Sequence, residues 1–285
     1  MKPPPFRYER ADTLDGALDR LQQDGDRIEV LAGGQSLLPL LNARERRPQV
    51  VLDITRLPGL GQVGTDGDAM TVGALVTQYD LGERDGLDDL LAECLPYTGH
   101  YATRHRGTIG GSIAHGEPRG ELPLALLTLG GSARVRSRGR EREIPVEDLY
   151  VGPYRTSLRS DELIVGTSWP RAAPGEGRAF AELAQRHGDF TLAAAACAVS
   201  VADGVIVGAR VGVGAVADRP LLVGEAAQAL IGRPPDGAAA EAAAAATRAA
   251  VPGYDDHHAG ADYRNHLAGV LVMTAALRAM ERAGG

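Results

Sequence analysis

The segment "VLAGGQSLLPLL", residues 30–41, decides the fold prediction because two glycines and a serine join a β-branched apolar run to a leucine run. The pattern predicts a strand, a tight turn at Gly33 and Gly34, and a helix that begins near Ser36. The preceding "DTLDGALDRLQQDG" has apolar residues at helical spacing behind a capping residue, and the following "QVVLDIT" reads as a strand. Together these segments predict a β-turn-helix-β unit.

A second glycine turn follows in "GTIGGSIAHG", residues 107–116, where Gly110 and Gly111 free the backbone and Thr108 and Ser112 offer hydroxyls. A helix that starts after such a turn presents unpaired N–H groups, which suit a phosphate. A Gly-Gly pair alone is more often only a tight turn, and neither turn has the spacing of GxGxxG or of the Gly-Lys-Ser/Thr phosphate loop. The two turns together favour a ligand with two phosphates.

The remaining segments predict further helices and strands. "LDDLLAECLPYTGHYAT" has a helical period, "RHRGTIGGSIAHGEPRGEL" reads as a glycine-punctuated loop, and "PLALLTLGG" reads as a helix. "SARVRSRGREREIPVEDL" predicts a hairpin, and "ELIVGTSWP" predicts a strand. Two strands with a turn at Asp203 and Gly204 are expected next, then a helix capped by Asp236 and a long terminal helix.

Composition limits the classes of function. The 285 residues carry 30 basic and 37 acidic side chains, a formal net charge of −7, and no basic stripe suited to nucleic acid. No segment approaches the roughly 20 apolar residues of a membrane-spanning helix, and "MKPPPFRYER" lacks the apolar core of a signal peptide, so a cytoplasmic location is predicted. Cys94 and Cys197 are expected to be buried free thiols.

Several motifs resemble one flavoprotein family. "AGGQSLLP" and "RGTIGGSIAHGEPRGELPLAL" are similar to the two flavin-binding segments of the FAD-binding medium subunit of molybdenum hydroxylases, such as the carbon monoxide dehydrogenase medium chain and xanthine dehydrogenase FAD subunits. "GPYRTSLRSDELI", "AQRHGDFTLAAAACAV" and "DYRNHLAGVLV" extend the similarity over nearly the whole chain.

This resemblance implies an α+β fold of two domains. An FAD-binding domain of the vanillyl-alcohol oxidase (PCMH) type is expected at residues 1–174, with subdomains at approximately 1–56 and 57–174. A smaller α+β domain of the carbon monoxide dehydrogenase flavoprotein C-terminal type is expected at 175–285. The proline- and glycine-rich "RAAPGEGRA", residues 171–179, independently suggests a boundary there.

The resemblance also implies a set of FAD-binding residues. One wall of the pyrophosphate and ribityl site would consist of Ala32, Gly33, Gly34, Gln35 and Ser36, and the other of Thr108, Ile109, Gly110, Gly111 and Ser112. Glu121 would accept hydrogen bonds from ribityl or ribose hydroxyls, although an acid in a first helical turn is also explained as a solvated helix-start residue. Ile164 would lie beside the isoalloxazine, and Arg186 would approach it from the second domain.

Other candidate residues receive no chemical role. Thr103, His105 and Glu117 depart from the family pattern, which leaves FAD binding intact but puts the flavin's local polarity and redox partner in question. His100 and His105 are interpreted as structural or surface histidines. "DDHH", residues 255–258, is interpreted as a solvated loop rather than a metal site, and no catalytic residue is assigned.

The functional hypothesis follows from the same resemblance. It implies an FAD-dependent oxidoreductase subunit that passes electrons from the iron–sulfur clusters of a molybdenum hydroxylase to an external acceptor, with iron–sulfur and molybdopterin subunits as partners. Two cysteines cannot hold those clusters within this chain. A free-standing FAD-dependent oxidase or dehydrogenase of small organic molecules is the alternative, and a non-catalytic binding protein on the same scaffold is a third hypothesis.

Overall fold

The computed structural model describes residues 2–284 as helices packed against three main sheets. The strands are β1 Arg7–Arg10, β2 Ile28–Leu31, β3 Val50–Asp53, β4 Val63–Asp66, β5 Ala69–Gly73, β6 Ser132–Ser137, β7 Arg140–Pro145, β8 Tyr150–Gly152, β9 Arg155–Thr156, β10 Leu163–Pro170, β11 Glu176–Ala184, β12 Thr191–Ala202, β13 Val205–Gly214 and β14 Leu221–Leu222. The helices are α1 Leu14–Asp24, α2 Leu37–Ala43, α3 Gln78–Gly82, α4 Asp89–Cys94, α5 Tyr101–Arg104, α6 Ile109–His115, α7 Glu121–Thr128, α8 Val146–Leu149, α9 Gly224–Leu230, α10 Gly237–Ala250 and α11 Ala261–Ala283.

The first sheet is parallel, with the order β1-β3-β2. The β-turn-helix-β prediction is confirmed, since β2, α2 and β3 follow one another and Thr13 caps α1 by accepting from the Gly16 N–H at 3.1 Å. Strand β1, "RYER", has no apolar alternation and was not predicted; it forms by pairing with the fully buried β3. The turn after β2 therefore opens at the carboxyl end of this sheet, where ligands bind in open α/β sheets.

The second sheet has the order β4-β5-β10-β6-β7 and is antiparallel. Strand β10 and the β6–β7 hairpin agree with the prediction, and the hairpin turns at Arg138 and Gly139, where Gly139 has a φ of 71°. Strands β4 and β5 were not predicted. Helices α4, α6 and α7 share a core with this sheet that includes the buried Trp169.

The helical region between the sheets is more broken than predicted. The single helix expected over "LDDLLAECLPYTGHYAT" is wrong, because the chain forms α4, a 3₁₀ turn at Leu95–Tyr97 and α5. Pro96 lacks a backbone N–H, and Gly99 adopts a φ of 60°, so neither supports a continuous helix. Conversely, the expected glycine loop contains α6.

The third sheet has the order β11-β12-β13-β14, and its central strand explains the alanine run. Ala194 and Ala196 share a core with α4 and α7, whereas Ala193, Ala195 and Cys197 lie on the opposite face, which α11 covers. Because helices cover both faces, the run of small residues at positions 193–198 of β12 allows close packing that overrides the helix propensity of alanine. Asp203 and Gly204, both with positive φ, form the predicted hairpin turn.

Helix α11 covers β11 and β12 on the outer face of the third sheet, and α10 packs against α11 and α9; both α10 and α11 were predicted. The Asp236 side chain accepts from the Ala239 N–H at 2.9 Å, which is the expected cap of α10. Cys94 and Cys197 are free and buried, as expected. Within residues 2–284 the structure contains no helix with the length and apolarity to cross a bilayer.

Candidate functional site

A cavity of about 840 Å³ lies between the first sheet, the second sheet and the start of the third. This volume falls within the range of about 300–1,000 Å³ typical of small-molecule and cofactor sites. Its walls contain residues from segments 28–37, 107–115, 117–123, 158–164 and 185–192. The cavity therefore collects both glycine turns and a loop that precedes β12.

The first glycine turn has free backbone donors. In the described part of the chain, no protein acceptor receives the backbone N–H groups of Gly33, Gly34, Gln35 or Ser36. Gly34 has a φ of 72°, a conformation that favours glycine. Unpaired N–H groups beside a cavity form an anion-binding concavity, so this turn can hold a phosphate.

The two turns contact each other directly. A Cβ added at Gly33 would overlap the carbonyl oxygen of Arg106 and would lie 2.8 Å from the Cα of Gly107. A Cβ at Gly110 would lie 2.5 Å from the Cβ of Ala74. Gly33 therefore allows the close backbone approach that joins the two turns, about seventy-five residues apart, into one continuous cradle, and Gly110 allows the second turn to pack against the segment that follows β5.

Most backbone N–H groups of the second glycine turn already have acceptors within the chain. Thr108 caps α6 by accepting from the Gly111 N–H at 3.1 Å, and the Ile109 and Gly110 N–H groups donate to the carbonyls of Val76 and Ala74. This turn therefore faces the cavity with side-chain hydroxyls rather than with free backbone N–H groups.

Most of the residues that the resemblance identifies line the cavity. These are Ala32, Gly33, Gly34, Gln35, Ser36, Thr108, Gly110, Gly111, Ser112, Glu121 and Ile164. Two residues do not line it: Ile109 is fully buried in the core behind α6, and the side chain of Arg186 is exposed on the loop before β12. The loop does reach the cavity, through Gln185 and residues 188–190.

Glu121 is buried at the cavity wall rather than solvated. It is only 7% exposed, and burial raises the pKa of its carboxyl group to about 7, whereas nearby hydrogen-bond donors, including Thr98, partly lower it. The interpretation as a solvated helix-start acid is therefore wrong. A buried carboxyl group of this kind can accept hydrogen bonds from ligand hydroxyls, which would favour its ionised form.

A charged cluster at the cavity wall was missed from the sequence. Buried Glu117 accepts from Arg119 Nε at 3.0 Å and from the Tyr154 hydroxyl at 3.1 Å. The Arg119 guanidinium lies 4.0 Å from the centre of the Phe190 ring, which joins the loop before β12 to the segment before α7. The charge pattern gave no signal for this cluster, because its members come from distant segments.

Other charged groups on the wall were also missed. Arg46 lies 3.4 Å from the carboxylate of Glu29, and burial raises the pKa of Glu29 whereas Arg46 lowers it. His115 lines the cavity, and burial lowers the pKa of its imidazole. Arg46 belongs to the arginine run "NARERRP", which by its pattern alone predicts solvated charges at a helix end and therefore gives no signal for a cavity residue.

The histidines and the "DDHH" segment have structural contacts. His105 stacks on Tyr79 with ring centroids 3.7 Å apart, while exposed His100 lies at the cavity edge. Asp256 is not simply solvated, because its carboxylate lies 2.7 Å from the guanidinium of the fully buried Arg264. Across residues 2–284, no group of three or more His, Cys, Asp or Glu side chains could hold a metal ion.

Comparison with known families accounts for this arrangement. Residues 4–172 match the FAD binding domain in molybdopterin dehydrogenase, and residues 178–279 match the CO dehydrogenase flavoprotein C-terminal domain. The chain belongs to this family of FAD-binding subunits. Its FAD cofactor, its α+β fold and the predicted resemblance to the carbon monoxide dehydrogenase medium chain are thereby confirmed.

Individual relatives cover almost the whole chain. The chain is 36% identical over 290 residues to the 6-hydroxypseudooxynicotine dehydrogenase complex subunit alpha of Paenarthrobacter nicotinovorans, covering 99% of this chain and 97% of the relative. It is also 36% identical over 285 residues to the nicotine 6-hydroxylase medium subunit of that organism, covering 99% and 100%.

A solved structure shows the same fold. The carbon monoxide dehydrogenase of Hydrogenophaga pseudoflava, in a form lacking the Mo-pyranopterin moiety of the molybdenum cofactor, matches with a TM-score of 0.95 at 31% identity over 99% of both chains. The predicted class, an FAD-dependent oxidoreductase subunit, is confirmed by these relationships. The family matches end at 172 and begin at 178, while the exact domain boundaries stay predictions.

Proposed function

We propose that this chain is the FAD-carrying electron-transfer subunit of a heteromeric molybdenum hydroxylase. In this function the subunit connects iron–sulfur clusters on a partner chain with an external electron acceptor. The observation that carries the proposal is the cradle in which Gly33 contacts the second glycine turn at a cofactor-sized cavity. Free N–H groups on one side and hydroxyls on the other provide the donors that a diphosphate needs.

The residues of the chain divide the task of binding. Gly33 to Ser36 would hold the diphosphate with their free backbone N–H groups, Ala32 would line the same wall, and Thr108 and Ser112 would line the opposite side. Glu121 would accept hydrogen bonds from ribityl or ribose hydroxyls, and Ile164 would provide an apolar contact for the flavin ring. The bound flavin supplies the capacity to accept electrons singly and release them as a pair.

The assignment of Arg186 to the flavin ring has less support, since its side chain is exposed and lies outside the cavity wall. Phe190, which lies on Arg119 and lines the cavity, is better placed on the same loop to limit access of solvent to the site. Ile109 supports the second turn from the core instead of contacting the ligand.

The proposal includes partner subunits. The two cysteines of the chain are both buried and far fewer than two iron–sulfur clusters require. The names of the related complex subunit alpha and medium subunit describe parts of larger assemblies. We therefore propose an iron–sulfur subunit and a molybdopterin subunit as partners. We also propose a cytoplasmic location, which the two unpaired thiols favour.

Isolation of the native complex tests this function. The chain, tagged at its carboxyl end and expressed in its own host, should co-purify with molybdenum, iron and acid-labile sulfide in fixed ratio to FAD. Reduction of the enzyme-bound flavin by the organic substrate should require the partner chains. A purified flavoprotein that carries no molybdenum or iron–sulfur clusters and turns over a small organic molecule alone would instead support the free-standing alternative.

A further inference from the structure

Gln78 is a buried amide on the cavity wall that lies outside both glycine motifs. It is 5% exposed, it begins α3, and it lines the cavity. Its Nε2 donates to the hydroxyl oxygen of Ser112 at 2.9 Å, whereas its Oε1 is buried and has no hydrogen-bond partner among residues 2–284. The contact with Ser112 is therefore the amide's one side-chain hydrogen bond within these residues.

The position of this amide is fixed by the backbone around it. The Gln78 N–H donates to the Gly107 carbonyl at 2.8 Å, and Thr77 pairs with Thr108 in an isolated bridge. A Cβ added at Gly107 would lie 2.6 Å from Gln78 Oε1. The missing side chain at Gly107 thus leaves the space that the amide occupies.

The hydrogen bond determines what the Ser112 hydroxyl can do. A serine hydroxyl has one hydrogen to donate and two lone pairs that accept. Gln78 donates to this oxygen, so the Ser112 hydrogen is directed elsewhere, and within the described chain no acceptor receives it. Ser112 lines the cavity, so its O–H is available to a ligand there.

The unpartnered Oε1 makes the arrangement costly. A buried acceptor without a donor destabilises the folded protein, so an apolar side chain of the same size would be more stable at this position. Such unsatisfied groups require an explanation beyond packing. Orientation of the Ser112 hydroxyl toward a ligand provides that explanation.

We propose that Gln78 is a cofactor-positioning residue that fixes the Ser112 hydroxyl as a hydrogen-bond donor to an acceptor oxygen of bound FAD. The inference rests on the proposed function and adds a residue from outside the glycine turns to the site. It also gives Gly107 a role, because a side chain there would displace the amide.

A double-mutant cycle tests the inference through FAD affinity. Glu in place of Gln78 can only accept when ionised, so Gln78→Glu should redirect the Ser112 hydrogen and weaken FAD binding at least ten-fold. Ser112→Ala should weaken it similarly, and the double variant should bind within two-fold of Ser112→Ala. The dissociation constants are measured by quenching of flavin fluorescence, and unfolding of each FAD-free protein is measured in parallel. Gln62→Glu, at an exposed glutamine, is the matched control.

The outcomes separate this inference from the proposed function. A wild-type protein that binds no FAD would overturn both. Normal binding by Gln78→Glu would overturn only the role of Gln78. A loss that persists in full in the Ser112→Ala background would assign the effect to the introduced charge and would also overturn it. If Gln78→Glu does not fold, Gln78→Met takes its place in the cycle, with the same coupling to Ser112→Ala expected.

Discussion

Replacement of Glu121 by Gln should stabilise the FAD-free protein more at high pH than at low pH. Burial raises the pKa of this carboxyl group from an ordinary value of 4.5 to about 7. Between these two values the unfolded chain releases a proton that the folded chain retains. The stability contributed by Glu121 is therefore fully present below pH 4.5 and is lost as pH rises through about 7.

The size of the effect follows from the difference between the two pKa values. One pKa unit corresponds to about 1.4 kcal/mol, so ionised Glu121 costs the FAD-free fold about 3 kcal/mol above pH 7. Glutamine keeps the shape and does not ionise. We expect the free energy of unfolding of Glu121→Gln, relative to wild type, to increase by about 2–3 kcal/mol between pH 5 and pH 8.

Denaturant unfolding of the FAD-free proteins measures this difference. Trp169, the single tryptophan, is buried in the core that α7 also enters, so its fluorescence reports unfolding of this region. Glu225→Gln is the matched control, because Glu225 is an exposed acid in the first turn of α9. A stability difference that is constant with pH, or that grows toward low pH, would refute the reasoning.

Three other substitutions test the site and its support. Gly33→Ala should separate the two turns and reduce bound FAD at least ten-fold in absorption assays. The control Gly61→Ala, which has open space around its added Cβ, should retain bound FAD. Equal flavin content in the two variants would contradict the cradle. Burial raises the pKa of Glu182 to about 9, so the melting-temperature gain of Glu182→Gln should grow from pH 5 to pH 9, and a constant gain would count against this. Arg264→Met should remove the ion pair with Asp256 and the buried donor to the Leu192 and Ala215 carbonyls, and so lower the denaturant midpoint by the equivalent of about 3–5 kcal/mol. An unchanged midpoint would contradict this.

The sequence predicts the elements whose signals are local. The β2 strand, the turn at Gly33 and Gly34, and the capped helices α1 and α10 follow from residues adjacent in the chain. Strand β1 could not be predicted, because "RYER" becomes a strand only through its pairing with β3. The break between α4 and α5 was missed, although Pro96 gave a signal that the helical period outweighed.

The site residues also fall into those that sequence motifs identify and those that only the fold brings together. Motif resemblance identified most of the two turns and Glu121, which line the cavity, but it also identified Ile109 and Arg186, which do not. Glu117, Arg119 and Phe190 were missed as a cluster, because the fold joins segments about seventy residues apart and no single segment shows that contact. Tertiary packing also determines the protonation of Glu121, which local sequence describes only as an acid at a helix start.

Flavin content of the purified chain tests the central claim most directly. The protein is expressed alone, its visible absorption spectrum is recorded, and any cofactor released on denaturation is identified by mass. We predict a yellow protein with FAD bound at close to one molecule per chain, either as isolated or after addition of FAD. A colourless protein that binds no added FAD would contradict the account.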